Sequence, residues 1–212
     1  MFFFAPVTLA DWDEGDPYKM HFPQLPDPFG WDVCLCCAQV ADDFTCTETG
    51  FITDIHFWIS WMGDRIGDVD DSQWDISIWD DAGGKPGTKL WPTFGTIQGT
   101  FTVRGPYSGV QGWICPTPQP LIIPGDHNQY FQVNITDILE PFQQTENTRY
   151  WLVIQANIPG YPDPVVGWKT ALATYAPYPH MSPAKFYNVL TGSWEDVMTP
   201  ELHDQAFVTR AC

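Results

Sequence analysis

Proline and glycine punctuate this chain so densely that few stretches run beyond a dozen residues without one, with 20 Pro and 17 Gly among 212 residues. Helix interiors tolerate neither residue well. Between the breakers Val, Ile, Thr and aromatic residues dominate, which is strand composition. Residues 52–62 place Ile55, Phe57, Ile59 and Trp61 on one face, and Trp74, Ile76 and Ile78 alternate with Asp75 and Ser77. Such period-two alternation predicts half-buried strands. Further strands are expected at 98–104, 130–136, 150–155, 165–170, 185–190 and 206–210. About ten short strands separated by turn residues predict an all-β jelly-roll β-sandwich.

Two tracts break that rhythm. Residues 11–32 carry four prolines and read as an extended strap over the surface. Residues 116–124 read as a second extended crossing. The expected organisation is an N-terminal donor strand and linker over residues 1–18, followed by one sandwich domain over 19–212.

The net charge of −17 repels phosphate backbones and anionic lipid surfaces, so nucleic acid is not an expected partner. That charge is concentrated: residues 1–81 hold 17 acids against Lys19 and Arg65, whereas the remainder holds nine acids against seven bases. No apolar run approaches the ~20 residues of a membrane span. The N-terminus lacks the basic start and long apolar stretch of a signal peptide, and is expected to belong to the mature chain.

Asp64, Asp68, Asp70, Asp71 and Asp75 crowd one segment between two strong strands. Carboxylates so close repel unless a cation or solvent relieves them, and Ca²⁺ accepts six to eight oxygens with loose geometry. Asp43, Asp68, Asp70, Asp71 and Asp75 are therefore the candidate calcium ligands, the other reading being a solvated acidic loop. Asp42-Asp43 fits either turn capping or a cation.

Six cysteines (Cys34, Cys36, Cys37, Cys46, Cys115, Cys212) form an even set whose spacing does not suggest a zinc ribbon or haem attachment, and the adjacent Cys36-Cys37 are poor geometry for sharing one tetrahedral metal. Disulfides in an oxidising, extracellular compartment are expected. Six cysteines allow 15 pairings, so connectivity stays open.

No G-x-S-x-G, H-E-x-x-H or glycine-rich phosphate loop is present, and the expectation is a protein that is not an enzyme. Trp58 and Trp79 point opposite to the apolar stripes of their strands. They could stack on sugar rings, or seat the proline-rich strap. Asn134-Ile135-Thr136 is an N-glycosylation sequon.

The first ten residues carry Phe2, Phe3, Phe4, Val7 and Leu9. Exposed, this apolar run would aggregate. It is expected to dock either as an edge strand on its own domain or as a strand donated to the next copy. Strand addition of the second kind propagates head to tail into rings or filaments.

The stretches 19–33, 41–61, 86–91, 150–156, 166–170 and 204–208, above all the block from Ala41-Asp42-Asp43-Phe44 to His56-Phe57-Trp58, resemble a family of secreted domains from planctomycete-like and other environmental bacteria. That resemblance implies an extracellular jelly-roll sandwich without enzymatic activity, some of whose members form filaments. The expected function is thus a filament subunit joined through its N-terminal strand, the alternative being a calcium-dependent carbohydrate-binding module.

Overall fold

The computed structural model describes residues 11–69, 71–172, 182–198 and 201–210. The expected self-assembly residues Phe2, Phe3, Phe4, Val7 and Leu9, together with Asp70 and Cys212, lie outside them. The described residues form fourteen strands, one 3-10 turn at Met62–Asp64 and no α-helix.

Two six-stranded sheets pack face to face as a β-sandwich. The first is ordered β11 (Val166–Lys169), β1 (Trp31–Cys34), β7 (Thr100–Cys115), β8 (Leu121–Thr136), β4 (Asp54–Trp61) and β14 (Phe207–Arg210). The second is ordered β13 (Ser193–Asp196), β12 (Lys185–Asn188), β2 (Val40–Thr45), β10 (Arg149–Asn157), β5 (Gln73–Asp81) and β6 (Pro86–Trp91). Two short strands, β3 (Gly50–Ile52) and β9 (Phe142–Gln144), pair separately.

The alternating residues read from the sequence meet between the sheets. Phe57 of β4 lies edge-on to Trp74 of β5 at 5.6 Å and to Trp168 of β11 at 6.4 Å. Trp168 continues to Phe207 at 5.9 Å, and Phe207 to Phe44 at 5.8 Å. Edge-to-face pairs place the positive rim of one ring on the negative face of the next, a gain beyond burial alone. Trp168 is wholly buried and its indole Nε1 donates to the Ala206 carbonyl at 2.9 Å, so its one polar atom is satisfied.

Three expectations about the chain's path change. Asp42-Asp43 lies inside β2 and not in a turn. Residues 116–120 turn the β7–β8 hairpin, and Leu121–Pro124 is already strand. The strand expected over 98–104 continues through Cys115, which makes β7 a 16-residue strand. The strap does run over the surface, touching the sheets through single bridges at Met20–Cys46, Gln24–Phe207 and Pro26–Ala171. It sits so close to β7 that a Cβ on Gly109 would overlap the Pro28 carbonyl.

The first sheet also closes on itself. β11 pairs with β1 on one side and with β4 on the other, so β1, β7, β8, β4 and β11 form a ring. Trp168→Ala, which opens a cavity where ring and sandwich core meet, is expected to lower stability by about 3–5 kcal/mol, measured by urea unfolding at constant slope.

Candidate functional site

The sites expected from sequence are largely taken apart by the fold. Asp64 accepts the backbone amides of Asn128 and Gln129 at 2.9–3.0 Å, which ties the 3-10 turn to the long hairpin. Asp68 accepts the amide of Asp71 at 3.3 Å within its own turn, and Asp75 faces Lys89 at 3.9 Å. Asp43 is elsewhere, fully buried on the second sheet, 3.2 Å from the Arg149 Nε and accepting the Ser182 amide at 3.0 Å. Burial, partly opposed by Arg149, pushes its carboxyl up to about 7. Among the described residues these carboxylates form no group of three within reach of one cation, and Asp43 lies in β2 whereas Asp68 and Asp71 lie in the segment before β5.

Trp58 is not a sugar platform: it is 4% exposed, with Trp12 of the strap edge-on at 6.2 Å. Trp79 is half-buried, donates to Ser77 Oγ at 2.9 Å and meets Trp194 at 6.0 Å. Asn134 is no glycosylation site in the folded chain. It is fully buried, its Nδ2 donating to Asp11 Oδ1 at 3.0 Å and its Oδ1 facing His56 Nδ1 at 2.7 Å.

Two clusters that the sequence did not single out lie in the closed ring. The first is ionic. Asp32 of β1 stands opposite Lys169 of β11 in register, both wholly buried, with 3.4 Å between Oδ2 and Nζ. The same Asp32 oxygen lies 3.0 Å from His127 Nε2, and His127 Nδ1 lies 3.1 Å from Asp126 Oδ2. Lys169 also donates to Gln111 Oε1, which accepts from Ser60 Oγ at 3.2 Å. Because carboxylates face both ring nitrogens, the imidazole donates from both and is cationic. Burial opposes that charge, but the bonds and charges of Asp32 and Asp126 outweigh it and move His127 upward. Two acids then balance two bases. His56 is the counterexample: burial pulls it from 6.5 down to about 4, since Asn134 offers it only a neutral acceptor.

The second cluster is of sulfur. Cys34 ends β1 and Cys115 ends β7; the two strands run parallel with Val33 beside Ile114, which brings the cysteines side by side. A turn over 35–37 folds Cys37 back until its Sγ is 2.8 Å from that of Cys34. The sulfurs of Cys34, Cys37 and Cys115 all lie within 4.8 Å of one another. Cys36 also reaches Cys34, with its Sγ 4.0 Å from the Val166 carbonyl, and the Tyr161 hydroxyl is 3.8 Å from Cys37. Hydrogen bonds from Cys115, Cys34 and Tyr161, against burial, hold Cys37 down at about 3, while bonds to Cys115, Cys36 and Cys37, with burial, push Cys34 up. The signal was present as Cys34-x-x-Cys37, masked by the intervening Cys36. The expected six-cysteine disulfide framework is corrected in two respects: the five described cysteines are free thiols, and Cys46 stands apart, buried and donating to Gln144 Oε1 at 2.9 Å.

A separate cleft of about 550 Å³ is lined, among the described residues, by Val69, Ser72, Gln73, Trp74, Thr96, Ile97 and Phe101, and an adjoining one of about 530 Å³ carries Asp75 and Lys89.

The two histidines give opposite pH signatures. His127, raised in the fold, contributes stability that is complete below 6.5 and is lost as pH rises through its folded value. His56, lowered, contributes stability that is complete above 6.5 and is lost as pH falls through about 4. Urea midpoints measured across pH are therefore expected to show His127→Gln costing most at low pH. His56→Gln, which keeps a donor for Asn134, is expected to remove on the order of 2–3 kcal/mol of acid sensitivity.

Among the described residues no helix is long and apolar enough to cross a membrane. No curated protein and no solved structure matches the chain. A family model described as a domain of unknown function, DUF7901, matches residues 20–210, and the chain belongs to that family.

Proposed function

We propose that the chain is a structural subunit of an extracellular filament, a jelly-roll-type sandwich that adds to copies of itself head to tail through its N-terminal strand. The observation that carries this reading is the clamp at the start of the described chain. Asp11 accepts from Asn134, and Arg104 binds Asp13 at 2.6 Å with Asp11 at 3.9 Å. Gln132 Nε2 donates to the Trp12 carbonyl at 2.7 Å. The expected loose linker is thus pinned to the outer face of the first sheet.

The pinning sets Asp11 beside Arg104 of β7, whose residues 100–104 pair, among the described residues, on one side only, with β8. A ten-residue segment spans at most about 33–36 Å when extended, enough to reach the same one-sided edge of a neighbouring copy. There its amides would complete the ladder, and Phe2, Phe3, Phe4, Val7 and Leu9 would leave water. A non-catalytic role agrees with the sealing of the Asp32, His127 and Lys169 cluster inside the ring.

A second reading, binding of carbohydrate, is favoured by the half-buried ring group Trp79, Trp194 and Tyr187 on the outer face of the second sheet, with centroids 5.5–6.0 Å apart. Glycan-array binding abolished by Trp79→Ala and Trp194→Ala would establish it.

Deletion of residues 1–10 is expected to leave the fold intact by circular dichroism and to abolish polymers seen by negative-stain microscopy and sedimentation. Full-length chain that stays monomeric at every concentration would overturn the filament, and a deletion that unfolds the monomer would place the segment in its own sandwich.

A further inference from the structure

The geometry points to a metal centre: Cys34, Cys36, Cys37 and Cys115 hold one soft divalent cation, zinc being the first candidate, at the mouth of the closed ring. The sulfurs of Cys34 and Cys37 are 2.8 Å apart, and Cys115 joins them within 4.8 Å, with Cys36 on the same turn. One S–S bond uses two sulfurs at about 2.05 Å and leaves the rest of such a group unsatisfied. A tetrahedral metal uses all four at once. With zinc–sulfur bonds of about 2.3 Å, the edges of a thiolate tetrahedron are roughly 3.8 Å. Three sulfurs already share a 4.8 Å envelope, and Cys36, on the turn between Cys34 and Cys37, would supply the fourth by side-chain rotation away from the Val166 carbonyl.

The scaffold suits this use. Cys34 and Cys115 come from adjacent strand ends whose backbones are fixed by pairing to β11 and β8. Cys37 and Cys36 come from the turn that follows, anchored by the Leu35 amide on the Val166 carbonyl at 3.0 Å. Two rigid and two adjustable ligands accommodate the adjacent pair that a preformed ribbon could not. The surroundings also favour thiolates around a cation over carboxylates: among the described residues this is the sole group of three or more metal-capable side chains. The softness of the donor set selects zinc or another thiophilic metal over calcium or magnesium.

The site needs no filament and stands apart from that reading. Binding would join β1, β7 and the turn after β1 across the open end of the ring, releasing thiol protons on uptake. Removing the metal is therefore expected to loosen the ring.

The test uses the full-length chain, prepared under reducing conditions and supplied with Zn²⁺ or Co²⁺ alone. The expected result is one metal per chain by native mass spectrometry and, with cobalt, the sulfur-to-cobalt charge-transfer band and d–d envelope of a tetrahedral thiolate site. Cys37→Ser and Cys115→Ser are expected to lose that spectrum, and Cys46→Ser to retain it. A chelator is expected to lower the melting temperature of the zinc form. The inference is overturned if the reduced wild-type chain takes up no metal, or if the cobalt spectrum persists in both Cys37→Ser and Cys115→Ser. Should a serine variant fail to fold, the wild-type stoichiometry and spectrum decide alone: a thiolate spectrum at one equivalent supports the site, and its absence refutes it.

Discussion

Asp32 and Lys169 face each other across β1 and β11 with no exposure to water, and each is tolerable only because of the other. An unpaired charge in that position would cost several kcal/mol, and the attraction of the pair serves mainly to cancel that penalty. Such a pair adds little net stability but demands one register. A one-residue slip of β11 would turn Lys169 toward the sandwich core and Trp168 into the ring, exchanging a charge for an indole on both faces. We therefore attribute the closure of the ring to this ionic core, in the way that the aromatic chain from Trp74 to Phe44 accounts for the packing of the two sheets. Gly167 lies between them because a side chain there would press on the Trp113 ring across the strand.

The same ring explains why acids and bases cluster without an accessible site. Its strands carry apolar residues on the face toward the second sheet and Ser60, Gln111, His127, Asp32 and Lys169 on the other. In an open sheet the second group would meet water. Curling of the long β7–β8 hairpin buries it, so polar side chains that look like a solvated face become a closed network. The histidines show the consequence. His127 has two carboxylates and is held charged, while His56 has one amide and is held neutral, although both are fully buried.

Legibility from sequence followed the range of the interaction. The sandwich was readable because alternation in β4 and β5 is a local property, and the strap because proline denies it a ladder. The extension of β7 through Gly105, Pro106 and Gly109 was not, since local breakers argued for an end to the strand and tertiary pairing with β8 prevailed. The separation of Asp43 from the other candidate calcium ligands was hidden for a related reason. Neighbouring acids in sequence were distributed to partners as distant as Asn128 and Lys89, which no spacing rule encodes. Asn134 carried a valid sequon, but a sequon does not reveal which face of a strand is covered, and here the strap covers it. Trp58 and Trp79 were correctly placed opposite the core stripes; what covers them depends on Trp12 and Trp194, far away in the chain.

Cysteine chemistry ties these threads to the question of compartment. An even number of cysteines argued for disulfides and thus for an oxidising environment. The fold divides that set: the sulfurs of Cys34, Cys37 and Cys115 converge at the ring with Cys36 on the adjoining turn, and Cys46 sits alone against Gln144. If the four hold a metal, parity no longer speaks for oxidation, and the proposed extracellular placement loses that support. A metal at the ring mouth and the proposed donated strand at the one-sided edge of β7 would act on the same sheet from its two ends. Cross-linking β1 to β7 near Cys115 stiffens the strand whose far end, Thr100 to Arg104, would receive the neighbour. Stiffness there has a physical return, because an acceptor edge already held in strand geometry loses less conformational freedom when the donor arrives.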